Sequence, residues 1–154
     1  MQIIIVGNGK VGLAITQMLA AENHNLTVVD ENPKVLTRLQ EEFDVIALEG
    51  HGATRRVLQE AGAAEADLLI AATSLDEINL LSCLTAKKLG CRNTIARVRN
   101  PEYADDVEFL REDLGLSFAI NPEEACAQEI FDILQFPSFL ERDQLAKGRA
   151  EIVC

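Results

Sequence analysis

The sequence predicts an α/β domain built on a doubly wound parallel sheet, and three observations carry that prediction. Short apolar runs alternate with amphipathic stretches along the chain, the rhythm of repeated βα units. The first run, Ile3-Ile4-Ile5-Val6, ends in Gly7-Asn8-Gly9-Lys10-Val11-Gly12, a G-x-G-x-x-G turn. The second run, Leu26 to Val29, ends in Asp30, eighteen residues past Gly12.

Taken in order, Gln2–Val6 is the first strand: an apolar run closed by glycine suits a strand buried on both faces. A helical pattern follows the glycines, with Val11, Ala14, Ile15, Met18 and Leu19 on its apolar stripe. The second strand is Leu26–Val29. Asn32-Pro33 caps and opens the next helix, because proline suits a first helical turn. Its inner face is Val35, Leu36, Leu39 and Phe43. The third strand is Val45–Leu48, then a loop with two glycines, Glu49-Gly50-His51-Gly52-Ala53-Thr54, then a short helix (Val57, Leu58, Ala61) stopped by Gly62.

The fourth strand is Leu68–Ala72. Ser74 with Glu77 three residues on reads as a capping box, so a helix is expected to start there and run through Leu80, Leu81, Leu84 and Ala86 to Gly90. The fifth strand is Thr94–Val98, and Asn100-Pro101 caps a helix ending near Gly115. The sixth strand is about Phe118–Ile120, and Asn121-Pro122 starts the sixth helix. Six strands with five intervening helices and right-handed crossovers give a Rossmann-like sheet of order 3-2-1-4-5-6.

In such sheets ligands lie at the carboxyl ends of the strands, where the order reverses between strands one and four. The expected jobs are distinct. Gly7 allows the sharp turn, Gly9 leaves room for a pyrophosphate near the main chain, and Gly12 lets the helix pack closely. The helix's first amides point at the phosphate. Asp30 accepts ribose hydroxyls of an adenosine. Glu31 and Asn32 follow it with no Arg or Lys, so NAD(H) is favoured over NADP(H). The other strand-end residues are Gly50-His51, Thr73-Ser74 and Arg97. Arg97 and Arg99 alternate with Ala96 and Val98 in a strand expected to be buried, so each guanidinium needs an anionic partner. Position alone leaves open whether that partner is a ligand phosphate or a carboxylate of the protein.

Bulk properties narrow the class. A length of 154 residues suits a domain with a proper core. A net charge of −11 argues against nucleic acid as a partner. No apolar run approaches the length of a bilayer span, and Met1 leads directly into a strand, so a cytosolic location is expected. The four cysteines (Cys83, Cys91, Cys126, Cys154) show no C-x-x-C spacing, and His24 and His51 do not cluster with them. Reduced thiols, no disulfide and no metal are expected.

The tail differs. Three of the six phenylalanines (Phe131, Phe136, Phe139) fall beside Ile130, Ile133, Leu134 and Leu140, more apolar surface than the sixth helix's own sheet needs. Packing on another subunit is favoured over completion of this core. Ala150-Glu151-Ile152-Val153 looks like a strand without a partner, as in a fragment of something longer, or else an addition to this domain's edge. The organisation expected is therefore residues 1–122 as the nucleotide-binding domain, and 123–154 as a crossover helix and the start of a following subdomain.

Several stretches together resemble a known family. Met1–Gly12, Thr27-Val28-Val29-Asp30, Gly50-His51-Gly52, Val57–Ala63, Ala66–Ile70, Thr73-Ser74-Leu75-Asp76-Glu77-Ile78-Asn79 and Ile95–Arg99 are similar to the RCK (KTN) domains that regulate potassium conductance. The likeness is strongest to the first such domain of the peripheral NAD-binding subunit of bacterial Trk potassium-uptake systems. Asn8 and Lys10 depart from the family's commoner small or polar residues. The resemblance implies a subunit on the cytoplasmic face of a membrane channel, forming dimers and larger rings. It also implies that NAD(H), and in some members ATP or ADP, binds at Gly7–Val11, Asp30, Thr73-Ser74 and Arg97. The expected role is a non-catalytic nucleotide sensor. Two rivals are the cofactor half of an NAD-dependent dehydrogenase and a purely structural domain. The dehydrogenase lacks a substrate-holding domain here, and neither His24 nor His51 falls at the nicotinamide end. The structural reading leaves Gly9 and Asp30 without a purpose.

Overall fold

The computed structural model describes residues 1–135, 142–145 and 150–153. They fall into two compact units, the first Met1–Pro122 and the second beginning at Glu123. In the first unit six parallel strands stand in the order β3-β2-β1-β4-β5-β6, the sheet expected. They are β1 (Gln2–Val6), β2 (Asn25–Asp30), β3 (Ile46–Glu49), β4 (Leu68–Ala71), β5 (Asn93–Arg97) and β6 (Phe118–Ile120). Register runs Ile3↔Leu26 and Ile3↔Leu68, so β1 is paired on both edges.

Because successive β1 side chains point to opposite faces, the strand feeds two cores. Ile4 and Val6 join Val29, Leu69, Ala71 and the helices α3 (Arg55–Glu60) and α4 (Asp76–Leu89) through Val57, Leu58, Cys83 and Ala86. Ile3 and Ile5 join Leu26, Val28 and the helices α1 (Lys10–Ala21) and α2 (Pro33–Glu42) through Leu13, Ile15, Leu19, Leu36 and Leu39. Each fully buried Val, Leu or Ile among them stabilises by roughly 1.5–3 kcal/mol relative to exposure.

Strand boundaries agree with expectation to within a residue, but several local readings change. In α1 the buried line is Gly12 and Thr16, while Met18 is 71% exposed. Thr16 can face the core because its hydroxyl donates to the Gly12 carbonyl at 2.8 Å. In α4 the buried line is Asp76, Asn79, Ser82, Cys83 and Ala86, and Leu81 is exposed. The expected capping box does not form: the N-cap of α4 is Leu75, one residue later than Ser74, with no side-chain cap bond. Glu77 instead accepts from the Tyr103 hydroxyl at 2.8 Å. Asn100 accepts from the Glu102 amide as expected, but a 3₁₀ turn (Pro101–Tyr103) precedes α5 (Ala104–Leu110), which ends before Gly115. Gly115 lies instead in the following turn, with φ +64°.

Cys83 and Cys91 are buried free thiols, and Cys126 is exposed. Burial pushes the Cys83 thiol up to about 12.

The second unit contains α6 (Pro122–Gln135, its first residue shared with the first unit) and a two-stranded antiparallel sheet, β7 (Arg142–Leu145) with β8 (Ala150–Val153). The strand at 150–153 therefore has a partner, contrary to expectation: Arg142 pairs with Val153 and Leu145 with Ala150. On α6, Ile130, Phe131, Ile133 and Leu134 are exposed. The expectations placed on Phe136, Phe139, Leu140 and Cys154 lie outside the described residues. No helix among the described residues is long and apolar enough to cross a membrane.

Candidate functional site

The turn after β1 is shaped by three glycines with three different surroundings. Gly7 has φ +87°, and a Cβ there would lie 2.8 Å from Thr73 Cγ2 and 2.9 Å from the Thr73 backbone. A Cβ on Gly12 would lie 1.9 Å from the Gly7 carbonyl oxygen, so only glycine lets α1 begin this close to the turn. A Cβ on Gly9 would meet nothing within 4 Å. Packing asks nothing of that position, and the space beside it is open.

Gly9 is the N-cap of α1. It supplies no side-chain cap, and no acid occupies the first turn. The first-turn amides, which have no intrahelical acceptors, and the positive end of the helix dipole are therefore left uncompensated by the helix itself.

Asp30 ends β2 and braces this turn. Its Oδ2 accepts from the Asn8 amide at 2.7 Å and its Oδ1 from the Asn32 amide at 2.9 Å. An ionised carboxylate offers about four acceptor positions, so capacity for further donors remains. Asn32 in turn accepts from the Lys34 amide at 3.1 Å and caps α2, as its Asn-Pro sequence implies.

The loop after β3 is pressed against the sheet. A Cβ on Gly50 would lie 2.6 Å from Val57 Cγ2, and one on Gly52 would lie 2.1 Å from Val6 Cγ1. The Gly50 amide donates to the Asp30 carbonyl at 3.0 Å. His51 Nδ1 accepts from the Ala53 amide at 3.3 Å, which for a neutral imidazole assigns the ring proton to Nε2.

The fourth wall is the β4–α4 turn. Thr73 donates its amide (2.8 Å) and its hydroxyl (2.7 Å) to Asn79 Oδ1, and its hydroxyl oxygen accepts from the Leu75 amide at 3.3 Å. Asp76, only 7% exposed, accepts from the Arg99 and Asn100 amides at 2.9 and 2.8 Å. The Arg99 side chain lies 3.9 Å from Asp76 and also donates to the Ser74 carbonyl, so its anionic partner belongs to the protein. Arg97 is half-buried, with Nη1 3.5 Å from the Thr73 carbonyl.

These four segments enclose a cleft of about 480 Å³ at the reversal of the sheet, within the usual size of small-molecule sites. Gly7, Gly9, Lys10, Val11, Asp30, Glu31, Gly50, His51, Thr73, Ser74 and Arg97 line it. Of the residues singled out from the sequence, Asn8 and Gly12 do not. Asn8 is buried and contributes its amide to Asp30, and Gly12 acts through helix packing. Val6, Val29, Gly52, Ala72, Leu75 and Ile78 also line the cleft and were not anticipated as site residues. Gly52 carries a signal, since it stands in the two-glycine loop; Val6, Val29 and Ala72 read as strand residues, and Leu75 and Ile78 only as part of the stretch after the fourth strand. Among the described residues no group of three or more His, Cys, Asp or Glu side chains could hold a metal.

Comparison with known proteins bears on the family and the fold. The TrkA-N domain family model matches residues 3–122. A Trk system potassium uptake protein TrkA homolog of Archaeoglobus fulgidus is 37% identical over 153 residues, covering 99% of this chain and 35% of that protein. The TrkA protein of Vibrio alginolyticus is 36% identical over 156 residues, covering 99% and 34%. The chain thus spans about a third of the length of these relatives. Among solved structures, the TrkA-N domain of the inner membrane protein ybaL from Escherichia coli has a TM-score of 0.76 at 24% identity, over 86% of this chain and 96% of that one, a likeness of fold alone. The GsuK channel bound to NAD has a TM-score of 0.66 at 28% identity, over 77% of this chain and 21% of that one. GsuK bound to ADP gives 0.66 at 28% identity, over 78% and 31%. A sheet of this order, a glycine turn opening a cleft at its reversal, and a family match across nearly all of the first unit lead to one assignment: the chain belongs to the TrkA-N domain family.

Proposed function

We propose that this chain is the nucleotide-sensing domain of a potassium-uptake system, binding NAD(H) without altering it chemically. The observation that carries this reading is the asymmetry of the β1–α1 turn: Gly7 and Gly12 are required by packing, whereas Gly9 borders open space. A helix start that lacks both its own cap and its own acid suits an incoming pyrophosphate.

In this reading the first-turn amides and Lys10 hold the phosphates, and Arg97 adds positive charge from β5. Asp30 accepts from the adenosine ribose, with Glu31 and the Gly50-His51 loop beside it. Two acids at the end of β2 repel a 2′-phosphate, which favours NAD(H) over NADP(H). ATP or ADP would present the same adenosine and phosphates to the same groups, and the likeness to GsuK, solved with NAD and with ADP, supports both ligand classes.

The relatives' role in potassium uptake supports a membrane transporter subunit as partner and a peripheral position on the cytoplasmic face. The exposed apolar residues of α6 support pairing of subunits into a dimer or ring through that helix. Residues 1–122 would be the sensing domain and 123–154 the crossover helix and the beginning of the next subdomain. A ligand shifts such an assembly only by its differential affinity for two arrangements.

Calorimetric titration with NAD+, NADH, ATP and ADP, on the wild type and on Asp30→Ala, tests the site. Saturable binding is expected, weakened about tenfold or more by Asp30→Ala, since the substitution removes a ribose acceptor and the Asn8 brace together. Absence of binding by all four, or identical binding by the variant, overturns the reading. Turnover of NADH absorbance with any small hydroxy or keto substrate would replace it with a catalytic one.

A further inference from the structure

Asn79 lies outside the cleft lining and is fully buried. Its amide is completely used. Oδ1 accepts from the Thr73 amide at 2.8 Å and the Thr73 hydroxyl at 2.7 Å. Nδ2 donates to the Thr73 carbonyl at 3.3 Å and to the Arg97 carbonyl at 2.8 Å. One side chain therefore ties the end of β4 to the end of β5, and both tied residues line the cleft.

The chain of contacts continues in both directions. The Thr73 backbone sits so close to Gly7 that a Cβ on Gly7 would be 2.9 Å away, so Thr73 sets the height of the phosphate-facing turn. Arg97 Nη1 approaches the same Thr73 carbonyl that Asn79 holds. We infer that Asn79 is a positioning residue for the phosphate half of the cleft, fixing the Gly7 turn and Arg97 relative to each other through Thr73. This rests on the nucleotide-binding reading above and adds to it a division of labour. Asp30 serves the adenosine half, and Asn79, which touches no ligand, serves the phosphate half.

Chemistry sharpens the assignment. An asparagine is the side chain that can accept twice and donate twice here; an ionised carboxylate of the same shape would turn an oxygen toward two carbonyls. Asn79→Asp therefore keeps the volume and the two bonds that Oδ1 accepts from Thr73, but makes both the tie to the Thr73 carbonyl and the tie to the Arg97 carbonyl repulsive. Thr73→Val keeps the shape and removes only the hydroxyl bonds.

The experiment uses the whole 154-residue chain, titrating NAD+ by calorimetry and adenosine by ligand-observed NMR, with folding followed by circular dichroism. Asn79→Asp is expected to weaken NAD+ about tenfold while changing adenosine less than twofold, a loss within the range of coupled neighbours. Thr73→Val is expected to show the same selectivity at about threefold. In an Arg97→Gln background Asn79→Asp should cost clearly less than in the wild type, about threefold rather than tenfold, because one of the two groups it positions is gone. Equal losses for NAD+ and adenosine would show a general structural role and overturn the inference. So would full additivity with Arg97→Gln, or unchanged NAD+ binding by the folded variants. If Asn79→Asp fails to fold, Asn79→Ser, at the same position outside the cleft lining, is held to the same selectivity. If the wild type binds no NAD+, the nucleotide reading falls and takes this inference with it.

Discussion

Two turns face each other across the reversal of the sheet, and they solve the same problem in opposite ways. Both leave a central strand and both open a helix, β1 into α1 and β4 into α4. The first is stripped to glycine, with no side-chain cap and no acid in its opening turn. The second is filled: Asp76 and Glu77 stand in the first turn of α4, and Asn79 and Asp76 take up neighbouring amides and a hydroxyl. The positive end of α4 is thus compensated from within, while that of α1 is left for something else. An anion entering the cleft has one helix start to choose. The difference teaches that the helix start left open beside the cleft is packed against a saturated one, since Thr73 of the second turn sits so close to Gly7 of the first that only glycine fits there.

Substitutions can break this contrast, and the largest effect belongs to Gly12→Ala. Its Cβ would collide with the Gly7 carbonyl at 1.9 Å, so the turn or the helix must move. Destabilisation of about 3 kcal/mol is expected, read as a fall in Tm of about 10 °C. Next is Asp76→Ala, which leaves the Arg99 and Asn100 amides without their acceptor on the saturated side. A loss of about 2 kcal/mol in chemical denaturation is expected. Gly9→Ala sharpens the comparison from the other side. Folding stability should change by less than about 1 kcal/mol, since the new methyl meets nothing, while NAD+ affinity falls about tenfold because it occupies the space left for the ligand. A variant that keeps full affinity would show that the turn is not the phosphate site. The smallest effect belongs to a third helix start. Asn32→Ala removes the side-chain cap of α2 and should cost about 1 kcal/mol in denaturant unfolding, calibrating what an ordinary cap contributes here.

The two turns also differ in how far the sequence discloses them. The glycine turn and Asp30 are legible because their chemistry is local: glycines at fixed spacing and an acid at the end of the next strand. The Thr73–Asn79 turn is legible as a strand end beside the cleft and as a helix start, but the N-cap falls at Leu75 rather than at Ser74. Ser74 and Glu77 have the spacing of a capping box, yet Thr73 is held by Asn79 and Glu77 is engaged by Tyr103, a residue 26 positions away. Nothing local announces that competitor. Likewise the buried line of α4 is polar and small, so apolar periodicity directs attention to Leu81, which faces outward. The β7 strand escapes for a different reason: Arg142-Asp143-Gln144-Leu145 has no β-branched residue and no alternation of apolar and polar groups.

The place of β1 in the sheet also bears on how the chain is made. Ile3 pairs on one side with Leu26 but on the other with Leu68, 65 residues later. During synthesis β1 leaves the ribosome ahead of the other strands of this sheet, finds one neighbour early, and keeps an unsatisfied edge until β4 emerges. Cells that translate this chain slowly between residues 30 and 68 would prolong the exposure of that edge, and chaperone capture or misassembly would concentrate in that interval.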